Sequence, residues 1–261
     1  MPPFKILIFT RTTAYRHASI PAGIRCIQRL ASSSLSSSPS LSSPHEFQFT
    51  ADATEDPTVF TPSTLSTYRV IVLLQCSGDD MLPDPTQLDA LQQFVRSGGG
   101  VVGVHCASFA MRGWEWYGKM IGGVFANHPE PQRARVRVVD QGHYITSAGT
   151  TQATTGEDGE GGEGMDVQLK EGKRMWMDEW YNFTCHPRGT QPGLHVLLTV
   201  DEGTYSGGEH GEDHPITWCH EFEGGRVFYT ALGHFDEAYE DEWFTEQLRR
   251  GIIWAAKLDN F

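Results

Sequence analysis

The 261-residue chain is short of several patterns that define whole protein classes. No apolar run approaches the roughly 20 residues that cross a bilayer, so a membrane-spanning helix is not expected. The opening Met1-Pro2-Pro3-Phe4-Lys5 leads into Ile6-Leu7-Ile8-Phe9, too short for a signal-peptide core and without a small-residue cleavage site. Cysteine is sparse. Cys26, Cys76, Cys106, Cys185 and Cys219 are odd in number and form no CxxC, so reduced thiols and a cytoplasmic location are expected. Basic charge is short too, with 20 Lys+Arg against 33 Asp+Glu and a net charge of −13. Nucleic acid needs the opposite surface, and an anionic membrane finds no polybasic patch. HExxH, zinc-finger spacing, a Walker loop and a GxGxxG after a strand are all missing, so no local metal or nucleotide signature is present.

Apolar residues, by contrast, make up 39% of the chain and aromatics 11%, enough for a substantial core. Two stretches cannot bury enough apolar area to offset their chain entropy. Ser32 to Ser43 holds nine serines in twelve residues, and Gly156 to Gly172 holds six glycines and six acids. They are expected to be mobile insertions near 32–44 and 151–172 within a single domain over 1–261, because the strand-like segments flanking each have similar character. The acid is concentrated: Asp201 to Glu246 carries 13 acidic residues and one basic residue, Arg226. Such a stretch is either a solvated acidic surface or an electronegative rim that repels anions and admits neutral ligands.

Periodicity gives an α/β order. Apolar runs at Lys5–Thr10, Phe47–Ala51, Tyr68–Gln75 and Val101–His105 read as strands, the third buried on both faces. Helices are expected from Ser19 to about Leu30, over Asp84–Arg96 ahead of Gly98-Gly99-Gly100, and over Trp114–Ile121. Strand alternating with helix predicts an open, mostly parallel, flavodoxin-like sheet flanked by helices. The second half adds strands at Ala134–Asp140, Met175–Phe183, His195–Val200, Ile216–Phe222 and Arg226–Leu232, then a helix from about Glu240 to Leu258. Ligands of such sheets bind beyond the carboxyl ends of the strands. That rule selects Arg11 to His17, Gln75-Cys76-Ser77, His105 and Gly233-His234.

Chemistry-bearing residues collect at these ends. Gly103-Val104-His105-Cys106 closes a strand in a small-residue turn of the kind that presents one side chain at the sheet edge. Cys106 is a candidate thiol nucleophile. The turn is similar to the Gly-hydrophobic-Cys of class I glutamine amidotransferases, and Tyr229 to His234 with Asp236-Glu237 resembles their His and acid. Here His105 occupies the thiol's place, so amidotransfer is not expected. His105 and His234 are then candidates for a general acid/base pair or for metal ligands. Met177-Asp178-Glu179-Trp180-Tyr181-Asn182-Phe183 interleaves acids, an amide and aromatics. It fits either proton transfer and sugar recognition or an alternating strand with Asp178 and Asn182 solvated. His128 and His214 each precede a proline, which extends the backbone. Tyr15-Arg16-His17 follows the first strand, where a basic pair can orient substrate.

Taken in order, these segments resemble one family. Tyr15-Arg16-His17, the Gly98 to His105 turn, Gly122-Gly123-x-Phe125-x-x-His128-Pro129, Asp178-Glu179-Trp180-Tyr181, Asp213-His214-Pro215-Ile216-x-Trp218 and Gly225 to His234 look like the ThuA-like family, named for trehalose utilisation. The resemblance covers the chain apart from the two insertions. It implies a class I glutamine amidotransferase-like fold and a link to catabolism of trehalose and related disaccharides, alongside dehydrogenases that make 3-keto sugars. The chain departs from it at Cys106, where a small residue is usual, and at His143-Tyr144, where a His-Pro is usual. The expected activity is intracellular carbohydrate processing on a disaccharide such as trehalose or its 3-keto derivative, as a lyase, hydrolase or isomerase. His105, Glu179 and His234 are the expected catalytic residues. Arg16, His17, His128, Asp178, Tyr181, Asp213 and His214 are expected to bind substrate, and a divalent ion such as zinc is a candidate cofactor on His105 and His234. The partner is then a small-molecule sugar, with a homo-oligomer open. A non-catalytic sugar-binding or regulatory module and a cysteine hydrolase using Cys106 stand as alternatives.

Overall fold

Alternation of apolar runs with capped helices sets the architecture. The computed structural model describes residues 3–32, 48–147 and 172–259. Segments 33–47 and 148–171, which hold nearly all of the two expected insertions, lie outside the described residues. The first half runs β1 (Phe4–Phe9), α1 (Ile20–Ser32), β2 (Phe49–Thr54), α2 (Pro62–Leu65), β3 (Val70–Leu74), α3 (Pro85–Arg96), β4 (Gly100–Val104) and α4 (Glu115–Ile121). The second half runs β5 (Phe125–Asn127), β6 (Gln132–Val138), β7 (Lys173–Asp178), β8 (Asn182–Phe183), α5 (Pro187–Thr190), β9 (His195–Asp201), β10 (Pro215–Phe222), β11 (Gly225–Thr230) and α6 (Glu242–Ala255).

A nine-stranded sheet has the order β2-β1-β3-β4-β11-β10-β9-β6-β7, and β5 pairs with β8 in a small separate sheet. Pairing is parallel from β2 through β1, β3 and β4 to β11. From β11 onward it is antiparallel. The fully buried β3 and β4 carry Val, Ile, Leu and Gly alone, as strands covered on both faces must. Winding reverses after β2, so the carboxyl ends of β1 and β3 diverge at a switch point. α3 starts at a complete capping box, with Asp84 and Gln87 each satisfying the other's end of the turn. α6 lies hard against the sheet: a Cβ on Gly251 would meet the Phe228 ring at 2.2 Å.

The antiparallel half curls. Asp178 closes β7, the last strand, yet its carboxylate accepts from the backbone N–H groups of Gly233 and His234, just past β11. In a flat sheet β10, β9 and β6 would hold those ends about 19 Å apart at ordinary strand spacing. The curl therefore brings the sheet's outer edge back over its centre.

Two expectations change here. The single strand expected over Met175–Phe183 stops at Asp178, and Glu179 to Tyr181 leave the ladder before β8 joins the small sheet. Asp178 and Asn182 are both fully buried, so neither lies on a solvated face. Four of the acids of 201–246 meet arginines from other elements: Asp201 pairs with Arg135 and Arg137, Asp213 with Arg188, Glu223 with Arg96 and Asp241 with Arg174. Among the described residues, no helix is long and apolar enough to cross a membrane.

Candidate active site at the carboxyl edge of the sheet

Four strand ends converge. His17 follows β1, His105 follows β4, Glu179 follows β7 and His234 follows β11, and one donor atom from each lies within 4.8 Å of the others. His105 sits at the start of a short turn with φ +53, a left-handed conformation uncommon for a side chain with a Cβ, which aims its ring out of the strand. Its Nδ1 is 2.7 Å from the Ala231 carbonyl, which can only accept, so Nδ1 carries a proton and Nε2 faces the cluster. That Nε2 is 3.1 Å from His17 Nε2, 3.3 Å from His234 Nδ1 and 3.3 Å from Glu179 Oε2. Tyr181 stacks on the His105 ring, and its hydroxyl stands 2.9 Å from the same nitrogen.

Glu179 divides its two oxygens. Oε2 turns to the three inner rings, 3.1 Å from His234 Nδ1 and 3.8 Å from His17 Nε2. Oε1 turns outward, 3.6 Å from Nε2 of His128, whose side chain is 33% exposed. Burial opposes ionisation of Glu179, but hydrogen bonds from His105, His17 and His234 outweigh it and hold the carboxyl well below the usual range. Burial acts the other way on His17 and lowers its pKa to about 4, leaving a neutral ring at pH 7. His128 donates Nδ1–H to the Pro129 carbonyl at 2.8 Å, which leaves its Nε2 facing Glu179.

The supporting residues are buried and well partnered. Asp178 accepts from four N–H groups, those of Trp176 Nε1, Glu179, Gly233 and His234. It fixes both sides of the pocket while its own oxygens are fully engaged. His214 bridges Glu202 through Nδ1 at 2.8 Å and the Tyr181 carbonyl through Nε2 at 2.9 Å, holding Tyr181 from behind. Gln75, with φ +52, donates through Nε2 to the Gly233 carbonyl at 2.6 Å and sits against Ser19 and Tyr239.

Of the residues singled out in the sequence, the structure gathers His17, His105, His128, Glu179, Tyr181 and His234 around one pocket. Asp178 and His214 lie directly behind it. Arg16 points away and pairs with Glu55 at 2.6 Å on the surface. Asp213 likewise turns outward to Arg188 at 2.6 Å. Cys106 Sγ lies 3.4 Å from His17 Nδ1, and burial pushes its thiol well above the ordinary range, the reverse of what a nucleophile needs. His143 is remote, packed over His195 and beside Cys219. Sequence reasoning selects Gln75 without giving it a role and passes over Glu202. Only its place at the end of the third strand marks Gln75, and Glu202 carries no signal beyond its charge.

Comparison with known proteins agrees with this architecture. The ThuA family model, described as trehalose utilisation, matches residues 5–158 and 167–255, and the chain belongs to that family. A ThuA-like protein structure from Bacteroides uniformis is similar at 24% identity and a TM-score of 0.69, covering 97% of this chain and 91% of that one. One from Parabacteroides merdae is similar at 17% identity and a TM-score of 0.66, covering 97% and 90%. A GMP synthase component from Thermoplasma acidophilum, at 11% identity and a TM-score of 0.50 over 98% and 96%, shares the amidotransferase-like fold. No curated protein matches the chain.

Proposed function

We propose that this ThuA-family chain is a carbohydrate-processing enzyme of the cytoplasm, acting by general acid/base chemistry on a disaccharide such as trehalose or its 3-keto derivative. The observation that carries the reading is Glu179, an ionised carboxylate with one oxygen buried among imidazoles and the other facing His128 at the open side. A carbonyl at carbon 3 acidifies the proton on the neighbouring carbon, and lyase, hydrolase and isomerase routes can each begin with its removal. Oε1 of Glu179 is placed to take that proton and exchange it with His128 Nε2. His105 and His234 face the position where the developing enolate oxygen would lie, and Tyr181 adds a hydroxyl donor there. A neutral polyhydroxylated ligand fits a pocket lined by imidazoles, the Tyr181 hydroxyl and this carboxylate.

The test is consumption of 3-keto-trehalose by the purified protein, with trehalose as the comparison substrate. Turnover that falls at least about a hundredfold in Glu179→Gln supports the reading. Sugar-binding heat with no consumption of either compound replaces it with the binding-module alternative. Wild-type rates in both His105→Ala and His234→Ala remove the proposed chemistry.

A further inference from the structure

His105 Nε2 has one lone pair or one N–H to offer, yet His17 Nε2, His234 Nδ1, Glu179 Oε2 and the Tyr181 hydroxyl all crowd it within 2.9–3.3 Å. Hydrogen bonding cannot satisfy such a convergence, because each proton serves one pair and the remaining lone pairs repel. A cation at the centre satisfies the three imidazole nitrogens and the carboxylate oxygen at once. The spacing has the right scale: bonds of about 2.0–2.1 Å arranged tetrahedrally set neighbouring donor atoms about 3.3–3.4 Å apart. The observed separations are 3.1 Å for His105–His17, 3.3 Å for His105–His234, 3.3 Å for His105–Glu179, 3.1 Å for His234–Glu179 and 3.8 Å for His17–Glu179.

We infer that His17, His105, Glu179 and His234 form a binding centre for one divalent first-row transition-metal ion of the zinc and iron(II) class. Three nitrogens and one oxygen suit such borderline ions, whereas magnesium and calcium favour all-oxygen sites. The surrounding bonds are those of an oriented ligand set. The Ala231 carbonyl fixes the His105 tautomer, and Cys106 Sγ occupies the second nitrogen of His17. The donors follow four separate strands, His17 from the loop between β1 and α1, so the fold brings them together before any ion arrives. The sequence pointed to His105 and His234 alone; His17 and Glu179 complete the set. Oε1 of Glu179 and Nε2 of His128 stay outside it, so the inference keeps the proton-transfer pair of the proposed function while resting on the same pocket.

The experiment uses the full chain without a polyhistidine tag, stripped with a chelator and reloaded separately with zinc, iron(II), cobalt(II), nickel and magnesium. Elemental analysis is expected to give about one transition-metal ion per chain and little magnesium, and loading should raise the thermal midpoint. Glu179→Gln and His105→Ala, verified as folded by circular dichroism, should bind at least about a hundredfold more weakly, while His195→Ala on the far surface should bind normally. Bound cobalt(II) should give a visible spectrum that both site variants lose. Uptake below about a tenth of an ion per folded chain, or equal uptake by the site variants, overturns the inference. Consumption of 3-keto-trehalose by the same samples separates the two proposals. An ion bound without turnover leaves the centre standing and removes the sugar chemistry. Undiminished turnover by stripped protein that also fails to take up an ion on reloading does the reverse.

Discussion

Two groups of histidines lie on either side of Tyr181 and use their nitrogens in opposite ways. Around His214, ring nitrogens of all three histidines end on groups of the scaffold. His214 joins Glu202 to the Tyr181 carbonyl, His210 Nε2 accepts from the Phe183 N–H at 3.0 Å, and His186 Nε2 meets the Asp213 carbonyl at 2.8 Å. Around His105 the nitrogens face one another and a single carboxylate oxygen. The first arrangement consumes its hydrogen-bonding capacity inside the fold and therefore holds things in place. The second leaves capacity converging on one point and is built to hold something else. Residue type is the same in both, so histidine alone says little. What distinguishes them is whether a partner of the scaffold already terminates each nitrogen.

Substitutions can break this contrast. The largest effect is expected from His105→Ala, which should lower 3-keto-sugar turnover by about a thousandfold with the fold retained, measured by steady-state kinetics beside circular dichroism. Turnover within a factor of two of wild type would place the chemistry elsewhere. His214→Ala should show the opposite profile. Losing a buried partner of Glu202 and of the Tyr181 carbonyl should cost about 1–3 kcal/mol, read from the urea midpoint, with a smaller fall in turnover than His105→Ala gives.

A pH titration sharpens the same distinction. Burial, then the neighbouring His214 and His186, lowers the His210 pKa from 6.5 to about 4. Between those values the unfolded chain binds the proton and the folded one does not, so stability is full above 6.5 and declines as pH falls toward 4. His210→Gln should flatten part of that decline in urea midpoints measured across the window, and an unchanged slope would exclude His210 as its source. Arg16→Ala should have the smallest effect. Removing an exposed ion pair with Glu55 should change stability by less than about 1 kcal/mol and leave KM close to wild type. A KM raised tenfold would restore Arg16 to the binding surface.

The sequence made the parallel half of the sheet easy to read, because uninterrupted apolar runs such as Val70–Leu74 have no other stable home than a strand covered on both faces. His105 and His234 were legible for the same reason: each follows such a run, and the carboxyl edge is where these sheets act. The break after Asp178 was not legible. Residues 177–183 alternate well enough to pass for one strand, and what stops the ladder is the tertiary pull of Gly233 and His234 on Asp178. Neighbours in a motif were also misleading as a group. Arg16 and His17 are adjacent, yet successive side chains leave an extended segment in opposite directions, one to Glu55 and the other into the pocket. Asp213 and His214 part in the same way.

The β6–β7 ladder has a further consequence. Its register runs from Arg137↔Lys173 to Gln132↔Asp178, and the Trp180 indole donates to the Gln132 carbonyl one step beyond. Glu179 is therefore placed by cross-strand pairing with residues more than forty positions earlier in the chain. Loop closure becomes only slowly more costly as a loop lengthens. Length added between β6 and β7 is therefore expected to leave the carboxylate in register with the histidines.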